Sequence, residues 1–361
     1  MKIAFVGEAV SGFGGMETVI RDVIHAFREA PLSAECKTFF FCRNDKMDKG
    51  WLEGIDSAYS FSNIKFSFLR RAKHISAFTS WLKQERPDVV ICIDVLSCLL
   101  ASKARSKAGQ SFPLFSWPHF SLDHKKHAEC VTYADYHLAI SSGIKQQMMA
   151  RGIPESAISV IYNPVSPKSV IIPAPEEGET PTFLYVGRMK FEGQKRIKDL
   201  LDGLSRVQGP WKLHVIGDGS DFERCQSYGR ELNIDKRITW HGWQSHPWEV
   251  VQEDIQKVTA LLLTSSFEGF PMTLLEAMSY GIPCVSADCM SGPRDIIQDG
   301  INGYLYAPGQ VEKFSSILDG LIKGEKCIDR SSVQASILRF YNDSYYDGLN
   351  SAIFTSMKKS S

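Results

Sequence analysis

The sequence predicts an α/β protein made of two doubly wound domains, each an open parallel sheet covered by helices on both faces. Apolar runs short enough to be buried strands alternate with segments of helical period along most of the chain, as a parallel sheet with crossover helices requires. The rhythm stops once, over Asn163 to Pro181, where five prolines and several acids replace any period, and then restarts. The length of 361 residues exceeds one ordinary core and suits two.

In chain order, Ile3 to Val6 is a continuous apolar run expected as a strand buried on both faces. Gly12-Phe13-Gly14-Gly15 makes a turn, and Val19, Val23, Ile24 and Phe27 lie on one side of a helix from Met16 to Arg28. Strands are expected at Cys36–Cys42, Val89–Ile93, Leu114–Ser116, His137–Ile140 and Ser159–Ile161. After the proline-rich stretch they are expected at Thr182–Val186, Lys212–Ile216, Arg237–Trp240, Ala260–Thr264 and Cys284–Ser286. The expected organisation is a first domain over 1–165, a linker over 166–181, a second domain over 182–335 and a helical tail over 336–361. Two such domains are expected to hold a ligand in a cleft.

Composition excludes several classes. The chain is 43% hydrophobic and 23% charged with formal net charge zero, so nothing favours nucleic acid as a partner. About 20 Lys and Arg stand against about 16 acids in residues 1–165, and the remainder carries the reverse imbalance. This is either scatter or an anionic partner on one side. Nine cysteines without a Cys-x-x-Cys pair indicate a reducing compartment and no zinc site, with Cys92, Cys98 and Cys284 as core thiols. The first residues reach Glu8 too soon for a signal peptide, and Asp94 interrupts the richest apolar run. A cytoplasmic protein is expected.

The most informative stretch runs from Glu268 to Met278. A buried strand ends in a turn through Gly269 and Phe270, and Pro271 suits the first position of a helix. The free N–H groups around Phe270, Met272 and Thr273 then form an anion site suited to a diphosphate. Glu276 is placed for a ribose diol and Glu268 for sugar hydroxyls, because a carboxylate accepts two hydroxyls at once. Read alone, both are also ordinary surface acids.

Glu268 and Glu276 in this setting resemble the paired-glutamate motif of retaining glycosyltransferases of family 4, which have the GT-B fold. Val186-Gly187-Arg188 with Lys195 is similar to that family's cationic pair, Gly14-Gly15 with Glu17 to its first glycine loop, and Val215-Ile216-Gly217-Asp218-Gly219 to its second-domain turn. Asp299-Gly300-Ile301-Asn302-Gly303 resembles its late turn. The likeness spans nearly the whole chain and runs toward enzymes that move galactose from UDP-galactose to the lipopolysaccharide core through an α-1,6 linkage. It implies a UDP-sugar donor, a lipopolysaccharide-core acceptor, retention of configuration, and no metal or other cofactor.

Arg188 and Lys195 suit a diphosphate, an Arg fork gripping two oxygens and a Lys adding a point charge. The resemblance implies that they replace a metal in stabilising the leaving UDP. Gly14 and Gly15 do not complete a dinucleotide signature, since Glu17 stands where the third glycine belongs. They serve either close approach to a ligand or a plain turn. His119, after a short strand, is implied by the resemblance to contact the transferred sugar; otherwise it is a structural histidine. The resemblance likewise implies that Ile216 and Trp243 flank the uracil, against a core role for the tryptophan. Asp94 serves either an acceptor or a helix cap. From Ile64 to Leu82, Phe68, Ala72, Ile75 and Leu82 share a face beside Lys65, Arg70, Arg71, Lys73 and His74. That segment is either a contact with the cytoplasmic face of the inner membrane or an ordinary sheet-covering helix. The competing functional readings are a UDP-sugar epimerase of the same fold, which needs no acceptor, and a non-catalytic UDP-sugar sensor or scaffold.

Overall fold

The computed structural model describes residues 1–9, 15–29, 33–44 and 47–360, with the side chains of 358–360 excepted. The chain forms two compact units, Met1–Pro164 with Tyr345–Ser361, and Val165–Ser344.

The first unit is built on seven parallel strands: β1 (Lys2–Glu8), β2 (Glu35–Cys42), β3 (Asp56–Phe61), β4 (Val89–Cys92), β5 (Leu114–Ser116), β6 (Tyr136–Ala139) and β7 (Ile158–Val160). Their order is β3-β2-β1-β4-β5-β6-β7. The helices are α1 (Gly15–Arg28), α2 (Ser67–Glu85), α3 (Val95–Ala108) and α4 (Ser142–Met149). The unbroken apolar run of β1 follows from cover on both faces. Ala4 and Val6 pack with Phe39, Phe41, Phe78, Leu82 and Leu100, while Phe5 turns the other way onto Phe27 and Trp117.

The second unit repeats the plan with β8 (Thr182–Val186), β9 (Lys212–Ile216), β10 (Ile238–Gly242), β11 (Ala260–Leu263), β12 (Cys284–Ala287) and β13 (Gly303–Tyr306), in the order β10-β9-β8-β11-β12-β13. Its helices are α5 (Ile197–Ser205), α6 (Phe222–Glu231), α7 (Pro247–Val250), α8 (Met272–Ser279), α9 (Pro293–Ile296), α10 (Val311–Ile322) and α11 (Arg330–Ser336). The last helix is α12 (Asn342–Ser360). Strand order reverses between β1 and β4 and again between β8 and β11. Such switch points open a crevice beyond the carboxyl ends of the strands, where ligands of this architecture bind.

The expected strands are present, and two more join them. β3 escapes a reading for apolar runs because it is an edge strand that mixes Asp, Ser and Tyr with two apolar residues. β13 is four residues long, begins with glycine and forms one edge of the second sheet. The expected domain limits also shift. Residues 166–181 are no spacer but a strap on the second unit. The N–H of Val165 donates to the Phe340 carbonyl (2.9 Å), that of Ile172 to Tyr280 (3.0 Å), and that of Val258 to Pro173 (2.9 Å). Prolines suit such a strap because few of its amides are needed as donors. The expected tail divides: Phe340 is buried in the second unit, whereas Tyr345, Leu349 and Ile353 are buried in the first.

In α2 the expected common face is split. Leu82 is buried and so is His74, whose Nδ1 bonds the Ser60 hydroxyl at 2.8 Å. Phe68 instead projects outward. Cys92, Cys98 and Cys284 are buried thiols as expected, and Cys327 is exposed. Among the described residues no helix is long and apolar enough to cross a membrane.

Candidate functional site

In the second unit, the loops after β8, β9 and β11 assemble the expected residues at the carboxyl edge. The first two loops touch backbone to backbone. The N–H of Gly187 donates to the Ile216 carbonyl (3.0 Å) and that of Met189 to Asp218 (2.9 Å). Gly217 sits at φ +141°, and a Cβ there would overlap the Gly187 carbonyl, so only glycine permits this approach.

The segment after Gly187 is also stitched to the turn after β11. The N–H of Ser266 donates to the Gln194 carbonyl (2.8 Å), and the Thr264 hydroxyl donates to the Lys195 carbonyl (3.0 Å). These ties set Lys195 Nζ 2.7 Å from Glu268 Oε1, and Gln194 Nε2 3.3 Å from Oε2. The Lys195 and Glu268 side chains are only 14% and 8% exposed, so this ion pair is largely sheltered from water and strong for that reason.

Gly269-Phe270-Pro271 leads into α8. Pro271 occupies the cap one residue before the helix, not its first position as expected. Phe270 is buried and meets Phe340 edge-on at 5.6 Å between centroids. Met272 and Thr273, both half-buried, open the helix. Amides in a first helical turn have no partner within the helix and suit an anion. On the next turn, Glu276 Oε2 accepts the indole N–H of Trp248 at 3.0 Å, and that indole stacks on Tyr280. Burial raises the Glu276 pKa, while the Trp248 hydrogen bond and the charge of Lys168 pull it back.

Arg188 is exposed beside Gly187, and Ile216 is buried. Trp243 is 61% exposed on the turn after β10, which excludes the core reading. Its neighbour Gly242 accepts the Gly217 N–H at 2.7 Å, tying this turn to the β9 loop.

In the first unit, Gly14 lies outside the described residues, and Gly15 is the exposed first residue of α1. His119 packs against Trp117 at 4.3 Å between centroids, and both of its ring nitrogens are buried with no hydrogen-bond partner among the described residues. Burial lowers its pKa to about 3, so the ring is neutral at physiological pH and can both donate and accept a hydrogen bond. Asp94 is the cap of α3, its Oδ1 accepting the Ser97 N–H at 2.9 Å.

Residues 13–169 match the family model Glycosyltransferase Family 4, and residues 170–335 match Glycosyl transferases group 1. The lipopolysaccharide 1,6-galactosyltransferase of Escherichia coli (strain K12) is 68% identical over 359 residues, covering 99% of each chain. The chain belongs to glycosyltransferase family 4. The enzyme of the same name from Salmonella typhimurium is 65% identical over 359 residues, 99% of this chain and 100% of that one. A solved structure, the apo form of the lipopolysaccharide outer core galactosyltransferase WaaB, superposes with a TM-score of 0.95 at 65% identity, covering 99% of this chain and 100% of its own. This family 4 protein is accordingly an enzyme of the GT-B fold.

Two contacts in the family 4 site escape a reading of the sequence. Gln194 carries no signal beyond its place next to Lys195, and Trp248 lies 28 residues from the glutamate it holds. Trp248 yields a prediction. Its hydrogen bond favours the carboxylate, so Trp248→Phe raises the Glu276 pKa further. If ionised Glu276 holds the ribose, UDP affinity then rises with pH through a higher midpoint than in wild type. Glu276→Gln weakens UDP about tenfold above the wild-type midpoint and abolishes this pH dependence. The same change stabilises the ligand-free fold at neutral pH. A carboxyl whose folded pKa lies above its unfolded value loses stability as pH rises between the two, and the amide removes that loss. Calorimetric UDP titrations and thermal melts between pH 5 and 8 check both statements. Equal UDP affinity in wild type and Glu276→Gln would remove the ribose assignment.

Proposed function

We infer that this family 4 enzyme transfers galactose from UDP-galactose to a glucose of the lipopolysaccharide core in α-1,6 linkage, with retention of configuration and without a metal. Likeness along the full chain to two enzymes named lipopolysaccharide 1,6-galactosyltransferase supports galactosyl transfer to lipopolysaccharide. The geometry that carries the chemistry is the sheltered Lys195–Glu268 pair in the turn that opens α8.

The UDP diphosphate takes the free amides at the start of α8 together with Arg188. Glu276 holds the ribose, Trp243 and Ile216 border the uracil, and Glu268 accepts hydroxyls of the galactose. In the first unit, His119 is the residue assigned to the sugar, which it meets as a neutral ring. In the transfer, the bond from C1 of galactose to the β-phosphate oxygen breaks while the acceptor oxygen bonds C1 on the same face. The acceptor proton passes to the departing phosphate oxygen. Lys195, held by Glu268, and Arg188 balance the charge that develops on UDP. These groups supply the positive charge for which other transferases use a cation.

The reaction takes place at the cytoplasmic face of a membrane. Phe66 and Phe68 are 74% and 77% exposed at the start of α2, beside Leu69 and the basic Lys65, Arg70 and Lys73. Such a patch suits an anionic bilayer, each basic residue near the surface contributing about 1 kcal/mol.

The test is UDP release from a panel of UDP-sugars in a chelating buffer, with and without lipopolysaccharide truncated to its inner core and first glucose. Release from UDP-galactose, only with acceptor, is expected. Conversion of UDP-galactose without acceptor would favour an epimerase, and UDP binding without turnover a sensor.

A further inference from the structure

The first unit carries a charged constellation that the donor chemistry leaves unused. Strands β1, β4 and β5 are neighbours in the sheet, and Glu8, Asp94 and His119 lie at or just beyond their carboxyl ends. Asp94 is buried and spends both oxygens on backbone. Oδ1 caps α3, and Oδ2 accepts the Glu8 N–H at 2.6 Å. Its role is to fix where Glu8 stands.

The Glu8 side chain keeps access to solvent, and among the described residues its carboxylate accepts no hydrogen bond. Charge meets it instead. Desolvation and Asp94 raise its pKa, while Lys125, Arg71 and His127 are near enough to lower it. Arg71 reaches from α2 to donate to His127 Nε2 at 3.1 Å, which orients both donors. Lys125 lies over the Phe120 ring at 4.0 Å from its centroid.

Charge narrows the class of ligand. A phosphate would be repelled by Glu8, and a bare cation by Arg71 and Lys125. A polyhydroxyl ring satisfies both signs, because each hydroxyl donates to a carboxylate and accepts from a cation. His119, neutral and with two nitrogens unpartnered among the described residues, lies at the same sheet edge and has the same dual capacity. We propose that Glu8, Arg71, Lys125 and His127 form the subsite for a neutral sugar ring of the acceptor, with Glu8 accepting its hydroxyls and Asp94 positioning Glu8. This rests on the reading of the chain as a transferase to an oligosaccharide acceptor.

The test uses the full-length enzyme saturated with UDP, and as probe the glucose-terminated core oligosaccharide released from truncated lipopolysaccharide. Binding is followed by calorimetry for wild type, Glu8→Gln and Lys125→Ala. Lys125 is exposed, so its removal leaves the fold intact. Each variant is expected to bind the oligosaccharide about tenfold more weakly, with a matching rise in acceptor KM and UDP affinity within twofold of wild type. Oligosaccharide affinity within twofold of wild type in both variants would overturn the subsite, as would displacement of the probe by inorganic phosphate. A wild-type enzyme that turns over UDP-galactose only with an acceptor of another class overturns the lipopolysaccharide reading instead. The two failures are thereby told apart.

Discussion

Replacing Glu268 with alanine is expected to lower kcat for galactosyl transfer by about two to three orders of magnitude, the range seen when one preorganised group is removed from a transition-state site. UDP affinity stays within about threefold of wild type, as the proposed assignment of Glu268 to the sugar requires. The same substitution lowers the melting temperature. It leaves the Lys195 ammonium, whose side chain is 14% exposed, with no carboxylate partner, and an orphaned sheltered charge costs about 3–5 kcal/mol. Glu268→Gln keeps an acceptor for Lys195 and recovers much of the stability but little of the rate. Single-turnover kinetics and calorimetric melts separate the two effects. A Glu268→Ala enzyme with near-normal kcat would end the assignment of Glu268 to the transferred sugar.

Lys195→Ala is the second large effect, with kcat reduced about a thousandfold and UDP bound about tenfold more weakly. On the proposed assignment the lost charge is one that balances the leaving diphosphate, so donor affinity and rate both suffer, unlike the Glu268 case. In the double variant Glu268→Gln with Lys195→Met, no ion remains without its counter-ion. The melting temperature is expected to recover relative to Lys195→Ala, while activity does not. That non-additivity in stability is the signature of direct coupling. A double variant as unstable as the sum of the single ones would show that the 2.7 Å contact between Lys195 and Glu268 contributes nothing to the fold.

The sequence discloses this site unevenly, for physical reasons. Glu268, Gly269, Phe270 and Glu276 lie within one strand-turn-helix, so local rules of helix start and anion binding suffice to group them. Lys195 is also legible as a cation for a diphosphate. Its contact with Glu268 is not, because it depends on Thr264 and Ser266 bonding a loop some 70 residues earlier. Trp248 is invisible for the same reason. In the fold, strands buried on both faces announce themselves by apolar runs, whereas β3 and β13 at the sheet edges have no such demand placed on them. Residues 166–181 mislead because proline richness signals loss of period, and a strap bonded to its own unit loses period as surely as a free linker does. The α2 helix misleads in another way. A helical wheel places Phe68 and Leu82 together, but only the later turns of α2 are covered by the sheet.

The division of the chain at Ser344 and Tyr345 bears on how the protein is made. Tyr345, Leu349 and Ile353 complete the core of the first unit, yet they follow the whole of the second unit in order of synthesis. While the ribosome is still translating the second sheet, the first has already emerged without that last helix. Domains commonly fold in the order in which they emerge; here the earlier one cannot finish until the later one has been made. Completion of the first unit is therefore tied to synthesis of the second, and a nascent chain stalled before residue 345 lacks the segment that the first unit takes from the end of the chain.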